Sequence, residues 1–163
     1  MRDKRFVAVH RGGLLTKENH RKLIRWAREC SEHVLFLIEG NIDTRLIWAL
    51  QVAKEWESEH ATVGDARKAS VGAHATARAS YNPVSTAVAR SVGHAVATAH
   101  MSDHSPGAAL YALLAVKIAG KSVDEERVWQ IVQLQSGFSP EATEIVELVM
   151  TTLMEKEKIL KIQ

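Results

Sequence analysis

Two stretches, Val63–Ser80 and Pro83–His104, are rich in alanine and glycine and hold four of the eight histidines. Side chains this small leave two outcomes: the backbones that bear them approach closely, or a recess forms whose walls carry the remaining polar groups. Either outcome makes the pair the centre of whatever folds around it. Between them, Asn82-Pro83 is a helix-start signal, asparagine capping and proline occupying the first turn, where its missing N–H costs nothing. So short a connection predicts antiparallel neighbours.

At roughly 100° per residue, the second stretch, read as one helix to about His104, has two unlike faces. Val84, Val88, Val92, Ala95, Val96 and Ala99 form an apolar stripe. Arg90, Gly93, Ala97, His100 and His104 lie across the helix, with His94 and Met101 at one edge. The first stretch sets Arg67, Ser70, His74 and Arg78 opposite Ala69, Gly72, Ala73 and Thr76. The expected ligand or partner site is therefore a recess in which Arg90, His100 and His104 face Arg67, His74 and Arg78, flanked by His94 and Asp103.

His100, Asp103 and His104 stand at i, i+3 and i+4, a spacing that resembles part of a metal-binding triad. His94 points away from His100 on the wheel, so one helix supplies two or three ligands at most, and His74 is the candidate for another. The competing reading is structural: Asp103 accepts a hydrogen bond from a histidine or caps the helix that begins near Ser105. The expectation is no metal, no other cofactor and no catalytic residue. Cys30 lies in an apolar stripe without an activating base, and no Gly-x-Ser-x-Gly or phosphate-cradling loop is present.

The remaining chain reads as helices with short connections. Residues 1–15 form a short arm and turn ending in Arg11-Gly12-Gly13. After Thr16, Leu23, Ala27, Cys30, Val34 and Leu37 recur at helical spacing, with Gly40 suited to the C′ position. Asp43 caps a second helix striped by Leu46, Ala49, Leu50, Ala53 and Trp56. Ser105-Pro106 opens a fifth helix, Gly107–Ala119, Ser122 and Glu125 a sixth ending at Gly137, and Ser139-Pro140 a seventh. No central segment alternates as a strand and no linker divides the chain. The fold class is all-α: one domain, residues 1–163, a bundle of about seven helices with the Ala/Gly-rich pair at its centre. The tryptophans Trp26, Trp48, Trp56 and Trp129 read as core or interface anchors.

Composition narrows the partners. At 46% hydrophobic and 25% charged residues the chain is an ordinary globular sequence, and no apolar run approaches a signal peptide or membrane span. A single cysteine fits a reducing, cytoplasmic setting. Net charge is only +2, but Met1–Arg28 holds nine Lys/Arg against Asp3 and Glu18, while residues 121–163 hold five against eight Asp/Glu. Such a basic front end suits an acidic partner, nucleic acid or a lipid surface, or simply the acidic carboxy-terminal part of its own fold or of a second copy. Its charges are not interleaved with stacking aromatics, which disfavours nucleic acid.

The linked pieces Asp43-Thr44-Arg45, Val63-Gly64-Asp65-Ala66-Arg67, Ala73-His74-Ala75 with Arg78, Gly93-His94-Ala95-Val96-Ala97-Thr98-Ala99-His100-Met101-Ser102-Asp103-His104 and Ala108–Ala112 together resemble the bacterial immunity-protein-five-like family of polymorphic toxin systems. The likeness spans about Leu23–Ala119. It implies an all-helical cytoplasmic protein that protects its bacterium by binding a cognate protein toxin, and it carries over no catalytic residue. Inhibitors of basic nuclease toxins are expected to be acidic, whereas this chain is slightly basic. The alternatives that the residues leave open are an enzyme or ligand-binding protein using the His/Arg/Asp cluster, and an interaction domain with a buried polar network.

Overall fold

Side-chain caps set most of the helix starts. Thr16, Asp43, Thr62, Asn82 and Ser122 each accept a backbone N–H from the turn that follows, each cap being worth about 1 kcal/mol. In the computed structural model, which describes residues 1–162, they open α1 (Lys17–Glu32), α2 (Thr44–Glu57), α3 (Val63–Ala79), α4 (Pro83–Ala97) and α6 (Val123–Gly137). Ser105 and Pro106 occupy the first turn of α5 (Ser105–Ile118), and α7 spans Thr143–Leu160. The chain is all-α, with no strand among the described residues.

Three helix boundaries differ from the periodic pattern, two for tertiary reasons and one because of a local turn. α1 stops at Glu32 instead of running to Gly40, because Val34 turns inward to pack with Ala87, Val88, Ala112 and Val116. α7 begins after Pro140, since Ser139–Ala142 closes as a turn, the Ala142 N–H bonding the Ser139 carbonyl. α4 ends at Ala97 and does not reach His104. There the amides of Ala99 and His100 bond tightly back to Val96 and Ala97, Met101 is extended, and Ser102–His104 forms a 3-10 turn. The Ser102 hydroxyl pins this turn by donating to the Phe6 carbonyl of the amino-terminal arm.

α4 touches α1, α2, α3 and α5, and α5 in turn touches α1, α6 and α7. Where α1, α4 and α5 meet, the buried residues are Ala27, Ala95 and Ala108. Small side chains at this junction let a buried hydroxyl relay cross it: Ser31 Oγ to Ser91 Oγ at 2.8 Å, and Ser91 Oγ to the Ala108 carbonyl at 2.7 Å. The basic face of α1 is met by the end of α2 and the turn after it, Lys17 and Arg21 reaching Glu59, and Arg25 and Arg28 reaching Glu57. Four cations of the basic front end are thus answered by Glu57 and Glu59, at and just past the end of α2, and among the described residues none of the front end's ion pairs reaches the acidic carboxy-terminal part.

Candidate functional site

α3 and α4 run antiparallel, as a descending register shows: Thr86 bonds toward Ala77, Arg90 toward His74, and Ser70 toward the Gly93 carbonyl. Two glycines then decide where imidazoles fit. A Cβ at Gly93 would lie 2.6 Å from His74 Nε2, and one at Gly107 would lie 2.7 Å from His94 Nδ1. Each ring therefore fills space that only a missing side chain leaves open.

These notches line up a row of side chains. Arg90 Nη1 donates to His74 Nδ1 at 3.2 Å. The His74 and His94 rings meet edge-on with centroids 5.3 Å apart, His94 stacks on Tyr111 at 5.2 Å, and His94 Nδ1 lies 3.3 Å from His104 Nδ1. The His104 ring in turn is 5.7 Å from that of His100. The row runs from the α3–α4 surface, under α4, to the turn that follows it.

Burial, reinforced by neighbouring positive groups, lowers the pKa of all four imidazoles. For His94 the shift is large, down to about 4, with burial the main cause and the fields of His104 and His74 next. Each imidazole of the row is thereby held toward its neutral form, beside the charged Arg90. The contact between His94 and His104 then requires one Nδ1 to donate and the other to accept, a fixed pair of tautomers.

The sequence-based site is thus only partly assembled as expected. His74, Arg90 and Gly93 come together, and His94, placed at the stripe's edge by the wheel, is the member in the middle. The wheel failed there because α4 stops at Ala97 and residues 98–104 leave its α-helical path. His100, Asp103 and His104 consequently do not form an i, i+3, i+4 set. Asp103 neither bonds a histidine nor caps α5: both its oxygens take Arg2, at 2.9 and 2.6 Å. Burial is the largest single influence and opposes the Asp103 charge, but the hydrogen bonds from Arg2 and from its own backbone N–H, with the fields of Arg2 and His104, together leave the carboxyl pKa lowered. Among the described residues, no three His, Cys, Asp or Glu side chains converge on a metal position. Cys30 is fully buried and its thiol pKa pushed up, which leaves it unreactive.

Tyr111 and Gly107 were not legible as site residues. They lie four apart on one face of α5, but nothing in their own sequence announces the imidazole they receive.

The outer end of the row opens into a groove of about 340 Å³ lined by Ser70, Val71, His74, Arg78 and Arg90. Arg67 lies on the same face of α3, about two turns from His74. Seven of the eleven arginines pair with a carboxylate: Arg2, Arg5, Arg21, Arg25, Arg28, Arg45 and Arg127. Among the described residues Arg67, Arg78 and Arg90 do not, and Arg11 is the fourth without one. A face of unpaired guanidinium groups around an open groove is suited to an acidic surface.

A family model for the Imm-5 like putative immunity protein matches residues 13–137. The chain belongs to that family. The Imm-5 like match includes α1 through α6, and with them the whole histidine row and the arginine groove, but leaves out residues 1–12 and α7. No curated protein and no solved structure matches the chain. No helix of the described residues is long and apolar enough to cross a membrane.

Proposed function

We propose that this protein is a cytoplasmic immunity protein that neutralises a cognate bacterial toxin by binding it, without catalysing a reaction. Membership in the Imm-5 like family over residues 13–137 carries the reading. The arginine groove supports a location for the contact: the toxin presents an acidic patch to the α3–α4 face, where Arg67, Arg78 and Arg90 await carboxylates. A slightly basic inhibitor then meets a toxin of opposite local charge, in place of the acidic inhibitor that a basic nuclease would require. The histidine row beneath supports the groove by packing into its glycine notches, and the arginines make the contact.

The test is co-purification with the toxin encoded beside it, followed by charge reversal. Arg67→Glu with Arg78→Glu replaces two exposed side chains, so the thermal unfolding temperature should stay near that of the unaltered protein. Affinity should fall by at least about 100-fold and its salt dependence should weaken, since like charges then face each other across the contact. Unchanged affinity would remove the α3–α4 face from the interface. Absence of protection against any neighbouring toxin would remove the function itself.

A further inference from the structure

At the opposite end of the histidine row lies a larger cavity, about 500 Å³, walled by the amino-terminal arm, the start of α1, Trp56 of α2, Val63 of α3 and the turn after α4. That volume is the size of a small organic ligand site. Its lining is chemically one-sided: Arg2, His10, Arg11, Lys17, His20 and His100 contribute to it, and among the described residues no carboxylate does. Asp103 and Glu59 neutralise Arg2 and Lys17 from outside the lining. Arg11 is left without an ion-pair partner among the described residues, so the interior field favours a negative charge.

His100 is part of the lining, but its Nδ1 is closed off from the cavity beside the Ala97 carbonyl, which leaves Arg11 as the group that offers itself to an anion. The rest of the wall is apolar and aromatic, with Phe6 and Leu15 buried and the Trp56 ring tilted against His20 at 4.7 Å. His20 is itself fixed, donating Nε2–H to the Thr98 carbonyl at 2.6 Å.

We propose that this cavity binds a small aromatic anion, its ring against Phe6, Leu15 and Trp56 and its carboxylate or phosphate toward Arg11. The inference does not rest on toxin binding, although Arg67, the member of the α3–α4 face nearest this cavity, extends its positive field to His100. The experiment titrates the ¹⁵N-labelled full chain with naphthalene-1-acetate, with its neutral counterpart naphthalene-1-acetamide, and with phenyl phosphate, following the indole N–H signals. The Trp56 signal should shift saturably while that of Trp26, buried and held on the Gln130 carbonyl, stays in place. Either anion should bind at least about tenfold more tightly than the amide, the scale of one charge-assisted contact, and the stronger of the two identifies the head group. Arg11→Ala, at an exposed and unpaired position, should erase that preference. Val63→Glu, which sets a carboxylate on the rim, should weaken both anions further. Equal affinity for acid and amide, retention of the preference in Arg11→Ala, or no saturable Trp56 shift at millimolar concentration would each overturn the proposal.

Discussion

The two sides of α1 are packed by opposite means. Toward α6 and α7, Leu23, Trp26 and Cys30 join Leu113, Leu134, Phe138 and Val149 in a core of large side chains. Toward α2, α3 and α4, Ile24 meets a core in which Ala49, Ala53, Ala66, Ala69, Ala73, Ala77 and Ala89 predominate. Large residues fill space with their own volume, so the first core gains chiefly from apolar area removed from water. Alanine has little area to contribute, and the second side gains by bringing helices close and letting imidazole rings occupy the glycine notches. The family match embraces the alanine-built side completely and the other side only in part, ending before α7.

The largest effect should come from the space-filling side. Leu23 is fully buried, and Leu23→Ala should lower unfolding free energy by about 2–5 kcal/mol, the transfer and cavity costs acting together. Urea unfolding followed by circular dichroism measures this. A loss below about 1 kcal/mol would show that the α6–α7 side collapses onto the gap, and that its packing is less demanding than the contrast with the alanine side supposes.

The alanine side should instead reveal itself through protons. His94 has a folded pKa of about 4, below its unfolded value of about 6.5. Between those two pH values the unfolded chain binds more protons, so stability is full above about pH 6.5, falls as pH drops, and levels off below about pH 4. The gap corresponds to a loss on the order of 3 kcal/mol. Unfolding free energy measured across this window should slope accordingly, and His94→Phe, which keeps a ring over Tyr111, should flatten the curve. An unchanged slope in that variant would assign the dependence to His20, His74, His100 and His104, whose pKa values are also lowered.

Local chemistry made one part of this arrangement legible and long-range packing hid the other. Thr16, Asp43, Asn82 and Ser122 declare helix starts because a cap is a contact between residues two or three apart. His74 and Arg90 could be paired because one short connection fixes the α3–α4 register. By contrast, the end of α4 at Ala97 depends on Ser102 reaching the carbonyl of Phe6, 96 residues away, and no periodicity carries that information. The wheel therefore set His94 aside and joined His100 to Asp103, whereas the folded chain gives Asp103 to Arg2. The neutralisation of α1 by Glu57 and Glu59 is hidden for the same reason.

The finest distinction lies within the alanine side, between its two glycine notches. At Gly107 an added methyl meets His94, whose ring is held between Tyr111 and His104 and has nowhere to go. Gly107→Ala should therefore cost about 1–3 kcal/mol, as overpacking of a closed site does. At Gly93 the obstacle is His74, which borders the open groove and can swing outward at the expense of its bond to Arg90. There the propensity gain of alanine over glycine inside a helix, about 1 kcal/mol, works against the displacement, and Gly93→Ala should change stability by less than about 1 kcal/mol. The pairing predicts a change of sign: in a His74→Ala background the methyl meets no ring, only the propensity gain remains, and Gly93→Ala should become stabilising. A double-mutant cycle by thermal unfolding checks it. Equal costs at the two glycines, or no coupling between Gly93 and His74, would mean that the outer notch is as closed as the inner one and that the groove does not give the first imidazole its freedom.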